Sequence, residues 1–175
     1  MFLKIFSRGV EWMKSIYLVG FMGSGKTSIA LALKEKLGWE SQDTDELIEQ
    51  EYQQSIPSIF RERGEQVFRD YETAILKKTN TRQTVIATGG GIIEREENRA
   101  FLKQHGVVVF LDTSWEEIVN RLSDDGSRPI WSNKNTDKKQ LLKERLPKYE
   151  EVANIIIHTD QKSVDAITDE IISNL

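Results

Sequence analysis

The sequence contains no cysteine, which excludes disulfides, thiolate metal sites and thiol nucleophiles together. Histidine is nearly as scarce. His105 and His158 are the only two, too few for a histidine-rich metal centre. No apolar run reaches the length needed to cross a bilayer. The apolar part of the first twelve residues is too short, and too interrupted by charge, for a secretory signal. Positive charge is not in excess either: 24 Lys+Arg against 28 Asp+Glu leave a net charge of -4. A weakly acidic chain is a poor general coat for nucleic acid, whose affinity rests on clustered cations. There is no internal repeat and no low-complexity tract. A reducing cytoplasm fits the absence of cysteine, and a cytoplasmic location is expected.

What is present suits one folded domain. The 175 residues are 38% hydrophobic and 30% charged, a balance that supports a packed core rather than disorder. A chain of this size buries roughly 70% of its unfolded surface and needs no covalent staple. Residues 1–12 read as an extension ahead of the domain. A second methionine, Met13, stands just before the first convincing strand.

Short apolar runs alternate with helical patterns. Strands are expected at Ser15–Val19, Trp39–Asp43, Thr84–Ala87, Val107–Leu111 and Ala153–His158. Helices are expected at Lys26–Leu37, Thr44–Gln53, Ile56–Thr79 (broken near Pro57 and Gly64), Glu94–Gln104, Ser114–Leu122, Lys138–Glu151 and Ser163–Ser173. Ser114 is placed to cap the helix at Glu117. That alternation predicts parallel strands with helices on both faces, and a ligand site outside the carboxyl ends of the strands. The polar stretch 123–137 is long for a plain connection and reads as a lid.

The sharpest signal is Gly20-Phe21-Met22-Gly23-Ser24-Gly25-Lys26-Thr27, which matches the phosphate-loop pattern between an apolar strand and a helix. Its glycines let several backbone N–H groups point at one anion, and the following helix adds its positive end. Lys26 can bridge the outer phosphates and the Thr27 hydroxyl can ligate Mg²⁺. The chain is therefore expected to bind a nucleoside triphosphate.

Three classes of phosphate-loop protein compete. A GTPase needs a guanine-reading Asn-Lys-x-Asp after a strand. Asn133-Lys134-Asn135-Thr136-Asp137 has one residue too many and sits in the polar stretch. A motor-type ATPase needs a larger chain. A small-molecule kinase needs a second pocket beside the triphosphate, and the remaining polar clusters supply one. In Asp43-Thr44-Asp45, an extended backbone turns residues i and i+2 the same way. One carboxylate can then help hold Mg²⁺ and the other can orient or deprotonate a hydroxyl. The structural alternative is a helix cap with a first-turn acid. Arg69 and Glu72 share a helix face; they read either as a surface ion pair or as an oriented fork for a carboxylate. Gly89-Gly90-Gly91 lets a ligand approach the main chain. Arg128, before Pro129, can stabilise a transferring phosphoryl group from the lid. Arg121 can stack on adenine, or simply favour its helix terminus. Arg145, taken alone, reads as a solvated helix arginine.

Taken in order, these segments resemble the shikimate kinase family, from about Lys14 to the C-terminus. The match rests on the phosphate loop, Asp43-Thr44-Asp45, Ile59-Phe60 with Gly64-Glu65, Phe68-Arg69 with Glu72, Thr88 with the three glycines, Arg128-Pro129, and Arg145 ahead of Tyr149. The resemblance implies a three-layer αβα fold with a five-stranded parallel sheet of the nucleoside-monophosphate-kinase type. It also implies a substrate-binding subdomain over about 44–75 and a lid over about 123–137. It implies ATP-dependent phosphorylation of the 3-hydroxyl of shikimate by a monomer with no nucleic-acid or membrane partner. By position, Lys26, Asp45 and Arg128 resemble the catalytic groups. Gly23, Ser24, Gly25, Lys26, Thr27, Ser28, Arg121, Arg128 and Pro129 resemble ATP contacts. Asp45, Arg69, Gly90, Gly91 and Arg145 resemble shikimate contacts, and Thr27 and Asp43 the Mg²⁺ side. The chain departs from the family in its Asp-, Asn- and Lys-rich lid and in lacking a proline near Asp160–Val164. Gluconate kinase, and a non-catalytic nucleotide-binding relative, are the alternatives.

Overall fold

The computed structural model describes residues 14–122 and 137–175. In chain order these form β1 (Ser15–Val19), α1 (Lys26–Leu37), β2 (Glu40–Asp43), α2 (Thr44–Tyr52), α3 (Ile56–Leu76), β3 (Thr84–Ala87), α4 (Glu96–His105), β4 (Gly106–Asp112), α5 (Trp115–Leu122), α6 (Lys138–Val152), β5 (Ile155–His158) and α7 (Val164–Asn174). The strands pair in the order β2-β3-β1-β4-β5, all parallel. β1 thus lies at the centre, with the chain laying two strands to one side of it and two to the other.

The central strands are mostly apolar because both faces are covered. In β1, Ile16 and Leu18 face one layer with Ile29, Leu33, Ile167 and Ile171 of α1 and α7. Tyr17 and Val19 face the other, with Leu76, Leu102, Ile118, Leu142 and Tyr149 of α3 to α6. This period of two is what makes three layers from one sheet. A separate cluster of Ile48, Ile59, Phe68 and Ile75 packs α2 against α3. It gives the edge of the molecule beyond β2 a small core of its own.

Caps fix several helix starts. Ser114 Oγ accepts from Glu117 N at 3.2 Å, as expected. Ser163 Oγ accepts from Ala166 N and Asp137 Oδ1 from Gln140 N, each cap stabilising by about 1 kcal/mol. Several boundaries differ from the expected ones, three of them for a visible reason. Trp39 closes α1 instead of opening β2, since its N–H and that of Gly38 both donate to Lys34 O. Pro57 begins α3 rather than breaking it, because its missing N–H falls in the first turn where no partner is needed; the kink is at Gly64 (φ 82, ψ 169). Glu94 stands outside α4, in the turn before it, with Arg95 extended at the N-cap. Among the described residues no helix is long and apolar enough to cross a membrane. The expected extension 1–12 and all of the expected lid 123–137 except Asp137 lie outside the described residues.

Candidate active site

The loop after β1 emerges at the middle of the sheet's carboxyl edge. Gly25, the N-cap of α1, has φ 92, a left-handed backbone that a side chain would strain. The first turn of α1 carries no acidic residue, so its positive end is left for an anion. Lys26 is buried and its Nζ donates to Gly20 O (2.8 Å), Phe21 O (2.9 Å) and Ser24 Oγ (3.3 Å). Thr27 Oγ1 donates to Asp43 Oδ2 at 2.8 Å, joining the loop to the end of β2. Arg121, at the end of α5, is held by Glu117 and donates to Gly23 O at 3.3 Å.

The cap reading of Asp43 holds, and the same carboxylate also reaches the phosphate loop. Its Oδ1 accepts from Asp45 N at 3.0 Å as the cap of α2, while Oδ2 takes the Thr27 hydroxyl. The extended-backbone argument for Asp45 is not correct, since Asp45 is the second residue of α2. It reaches the cleft because the helix starts at the cleft's rim. The three glycines make room for neighbouring side chains as well as for a ligand. None of them has a positive φ; they are needed for space. A Cβ on Gly89 would stand 2.7 Å from Asp45 Oδ1 and 2.8 Å from Glu72 Oε1, and one on Gly91 would overlap the Arg69 guanidinium. Gly89 N donates to Thr44 Oγ1 at 2.9 Å, tying this turn to α2.

Arg69 and Glu72 are not a surface pair. They are 7% and 1% exposed, with Arg69 Nη1 donating to Glu72 Oε2 at 2.5 Å and Nη2 to Glu65 Oε1 at 2.9 Å. Burial pushes the Glu72 carboxyl up from its ordinary value, against the pull of Arg69. Nor is Arg145 solvated. It is 2% exposed on α6, with its Nε donating to Glu94 Oε1 at 2.6 Å. Its Nη1 is buried with no hydrogen-bond partner. Buried donors are nearly always satisfied, and this unmet one belongs to a residue that lines the cavity. Burial raises the Tyr149 phenol well above its ordinary value, so it remains a donor, to Gly90 O at 2.5 Å.

A single cavity of about 700 Å³ collects these groups. Of the residues expected from sequence, Gly23, Gly25, Lys26, Thr27, Ser28, Asp43, Asp45, Arg69, Gly90, Gly91, Arg121 and Arg145 all line it. Ser24 is buried within the loop as an acceptor for Lys26. Arg128 and Pro129 lie outside the described residues. Sequence reasoning did not mark Glu94 or Lys148, the latter also paired to Glu94. Glu94 meets Arg145 and Lys148 at sequence separations of 51 and 54, and no local pattern announces it.

A phosphate loop at the centre of a parallel sheet, opening onto a cavity with two arginines and an aspartate, defines a phosphotransferase acting on a small acidic alcohol. The comparisons narrow the class. A family model for shikimate kinase matches residues 22–175. A shikimate kinase of Bacillus cereus (strain AH187) is 44% identical over 159 residues, 91% of this chain and 96% of that protein. The structure of a shikimate kinase from Acinetobacter baumannii in complex with shikimate superposes with a TM-score of 0.88 at 42% identity, covering 93% of each chain. A gluconokinase from Sinorhizobium meliloti 1021 superposes with a TM-score of 0.57 at 17% identity, over 94% of this chain and 93% of that one; this is a likeness of fold alone. The chain belongs to the shikimate kinase family.

Proposed function

We propose that this protein transfers the γ-phosphoryl group of ATP to the 3-hydroxyl of shikimate, a step of aromatic amino-acid biosynthesis. The observation that carries the reading is the shared cavity: Arg69 and Arg145, from two different helices, line the same space as Lys26 and Asp45. Phosphoryl transfer asks a protein chiefly for positioning and charge stabilisation.

In this reading the carboxylate of the acid lies on Arg69 and Arg145, with Gly90 and Gly91 against the ring. Holding the acid at that end turns one hydroxyl toward the phosphate loop. Asp45 orients that hydroxyl and takes its proton as the O–P bond forms. The backbone of residues 23–25 and the amine of Lys26 hold the phosphates, so Lys26 exchanges its carbonyl partners for phosphate oxygens. Ser24, Thr27 and Ser28 complete the ATP contacts, with Arg121 and Pro129 on the adenine. Arg128, from the lid over 123–137, stabilises charge on the transferring group. Lid closure excludes water, and the subdomain over 44–75 binds the acid. Thr27 and Asp43 suit Mg²⁺: both present oxygen donors, 2.8 Å apart, and this ion needs only one or two protein oxygens beside phosphates and waters. Thr27 and Asp43 would hold it, and it would supply neutralisation of phosphate charge. The enzyme acts as a monomer in the cytoplasm, and residues 1–12 lie outside the working domain.

A coupled assay of ADP release tests this, with shikimate, gluconate and no acceptor in separate runs. Release dependent on shikimate is expected. Release with gluconate, or equal release without acceptor, overturns the assignment.

A further inference from the structure

Arg145 brings a charge into the cavity, yet α6 alone does not fix where its guanidinium points. The group that does so is Glu94. One carboxylate oxygen takes the Nε–H at 2.6 Å and the other takes Lys148. With both oxygens occupied, the carboxylate has little freedom to turn. Partial burial works to raise the Glu94 carboxyl, but the hydrogen bonds from Lys148 and Arg145 outweigh it and hold it below its ordinary value. These bonds favour its charged form. A guanidinium bonded through Nε keeps its other edge free, and here the buried Nη1 has no partner.

The turn that carries Glu94 is rigid. Glu94 N donates to Gly91 O at 3.0 Å and Ile92 N to Gly89 O at 3.1 Å. Asn98 Nδ2 donates to Ile92 O at 3.0 Å, and Arg99 Nη1 to Ile93 O (2.8 Å) and Glu94 O (3.2 Å). Ile92 and Ile93 are wholly buried. Tyr149, one helical turn beyond Arg145, fastens α6 to the same turn through Gly90 O. The glycine turn and the arginine thus form one unit.

We infer that Glu94 is a positioning residue for substrate: it holds Arg145 through Nε so that the Nη edge meets the carboxylate of the acid. The pair repeats what Glu72 does for Arg69, but from a residue far away in the chain. Arg145, unlike Arg99, lines the cavity beside Arg69. The inference rests on the shikimate reading above, and its test separates the two.

The assay compares the wild-type enzyme and Glu94→Gln, with shikimate and with its methyl ester as acceptors. Wild-type activity on shikimate is read first, and its absence refutes the functional assignment rather than the role of Glu94. Given that activity, Glu94→Gln raises KM for shikimate about tenfold, as for the loss of one charge-assisted hydrogen bond. KM for ATP and kcat stay within twofold, and so does kcat/KM for the neutral ester. In an Arg145→Lys background, which lacks the Nε–H, Glu94→Gln adds nothing further. Equal changes for both substrates, the same loss on the ester, or full additivity with Arg145→Lys overturns the inference. If Glu94→Gln does not fold, Glu94→Asp draws the charge back by one methylene. It must show the same selective rise in KM for shikimate, and an unchanged KM refutes the inference.

Discussion

Replacing Gly89 by alanine probes the crowding at the centre of the cavity. The new methyl would sit 2.7 Å from Asp45 Oδ1 and 2.8 Å from Glu72 Oε1, where a carbon–oxygen contact needs about 3.3 Å. Each carboxylate must then retreat by about 0.5 Å. The φ of Gly89 is not positive, so backbone strain adds nothing and the whole effect is steric. Overpacking of this kind costs about 1–3 kcal/mol, which for a chain of this length lowers Tm by about 2–4 °C per kcal/mol. Catalysis suffers more. A misplacement of about 1 Å costs on the order of a hundredfold, so half that shift, at both the base and the carboxylate that holds Arg69, lowers kcat/KM for shikimate about tenfold. Gly38→Ala is the control. Its φ is 67 and nothing lies within 4 Å of the added methyl. It should therefore lose about 1–2 kcal/mol of stability to left-handed strain with unchanged kinetics. Thermal unfolding and steady-state kinetics on both variants decide the matter. A folded Gly89→Ala enzyme with wild-type kcat/KM would refute the claim that the two carboxylates crowd this glycine.

Three further outcomes follow from the same geometry. Arg69→Ala removes one arm of the carboxylate clamp and raises KM for shikimate about 10- to 100-fold, from a charge-assisted interaction of about 1.5–3 kcal/mol; an equal rise for ATP contradicts the assignment. Arg128→Ala lowers kcat by about 10³-fold or more, as loss of an arginine on the phosphoryl path does, and single-turnover kinetics will show whether the chemical step is the one slowed. Because Arg145 and Lys148 hold the Glu94 carboxyl below its ordinary value, its stabilising contribution is present above the glutamate range and disappears as pH falls through it. The gap in unfolding free energy between wild type and Glu94→Gln therefore narrows on acidification, and a gap that widens toward acid refutes that sign.

Local chemistry made much of this protein legible before any coordinates. The phosphate loop is contiguous, so the residues that make the turn, the helix start and the lysine are read as one string. Short apolar runs made the central strands plain, and hydroxyl caps such as Ser114 marked helix starts to within a residue. The misreadings share a cause. Asp45 was assigned to the cleft through an extended backbone, although a helix begins at Thr44. Glu94 was placed inside a helix that starts two residues later, because the turn is set by buried Ile92 and Ile93 and not by its own polar residue.

The sequence alone determined which chemistry is available: a cradle for phosphate, acids that can bind metal or accept a proton, and arginines that can hold a carboxylate. Helix and strand periodicity, set by side-chain geometry over a few residues, also determined the order of the layers. Only the tertiary structure decided that Arg69 and Arg145 are buried in one cavity, that the glycines supply space and not backbone freedom, and that Glu94 bonds to Arg145. Those facts depend on contacts between residues far apart in the chain. Such contacts arise from how three layers pack, and no short stretch of chain encodes them.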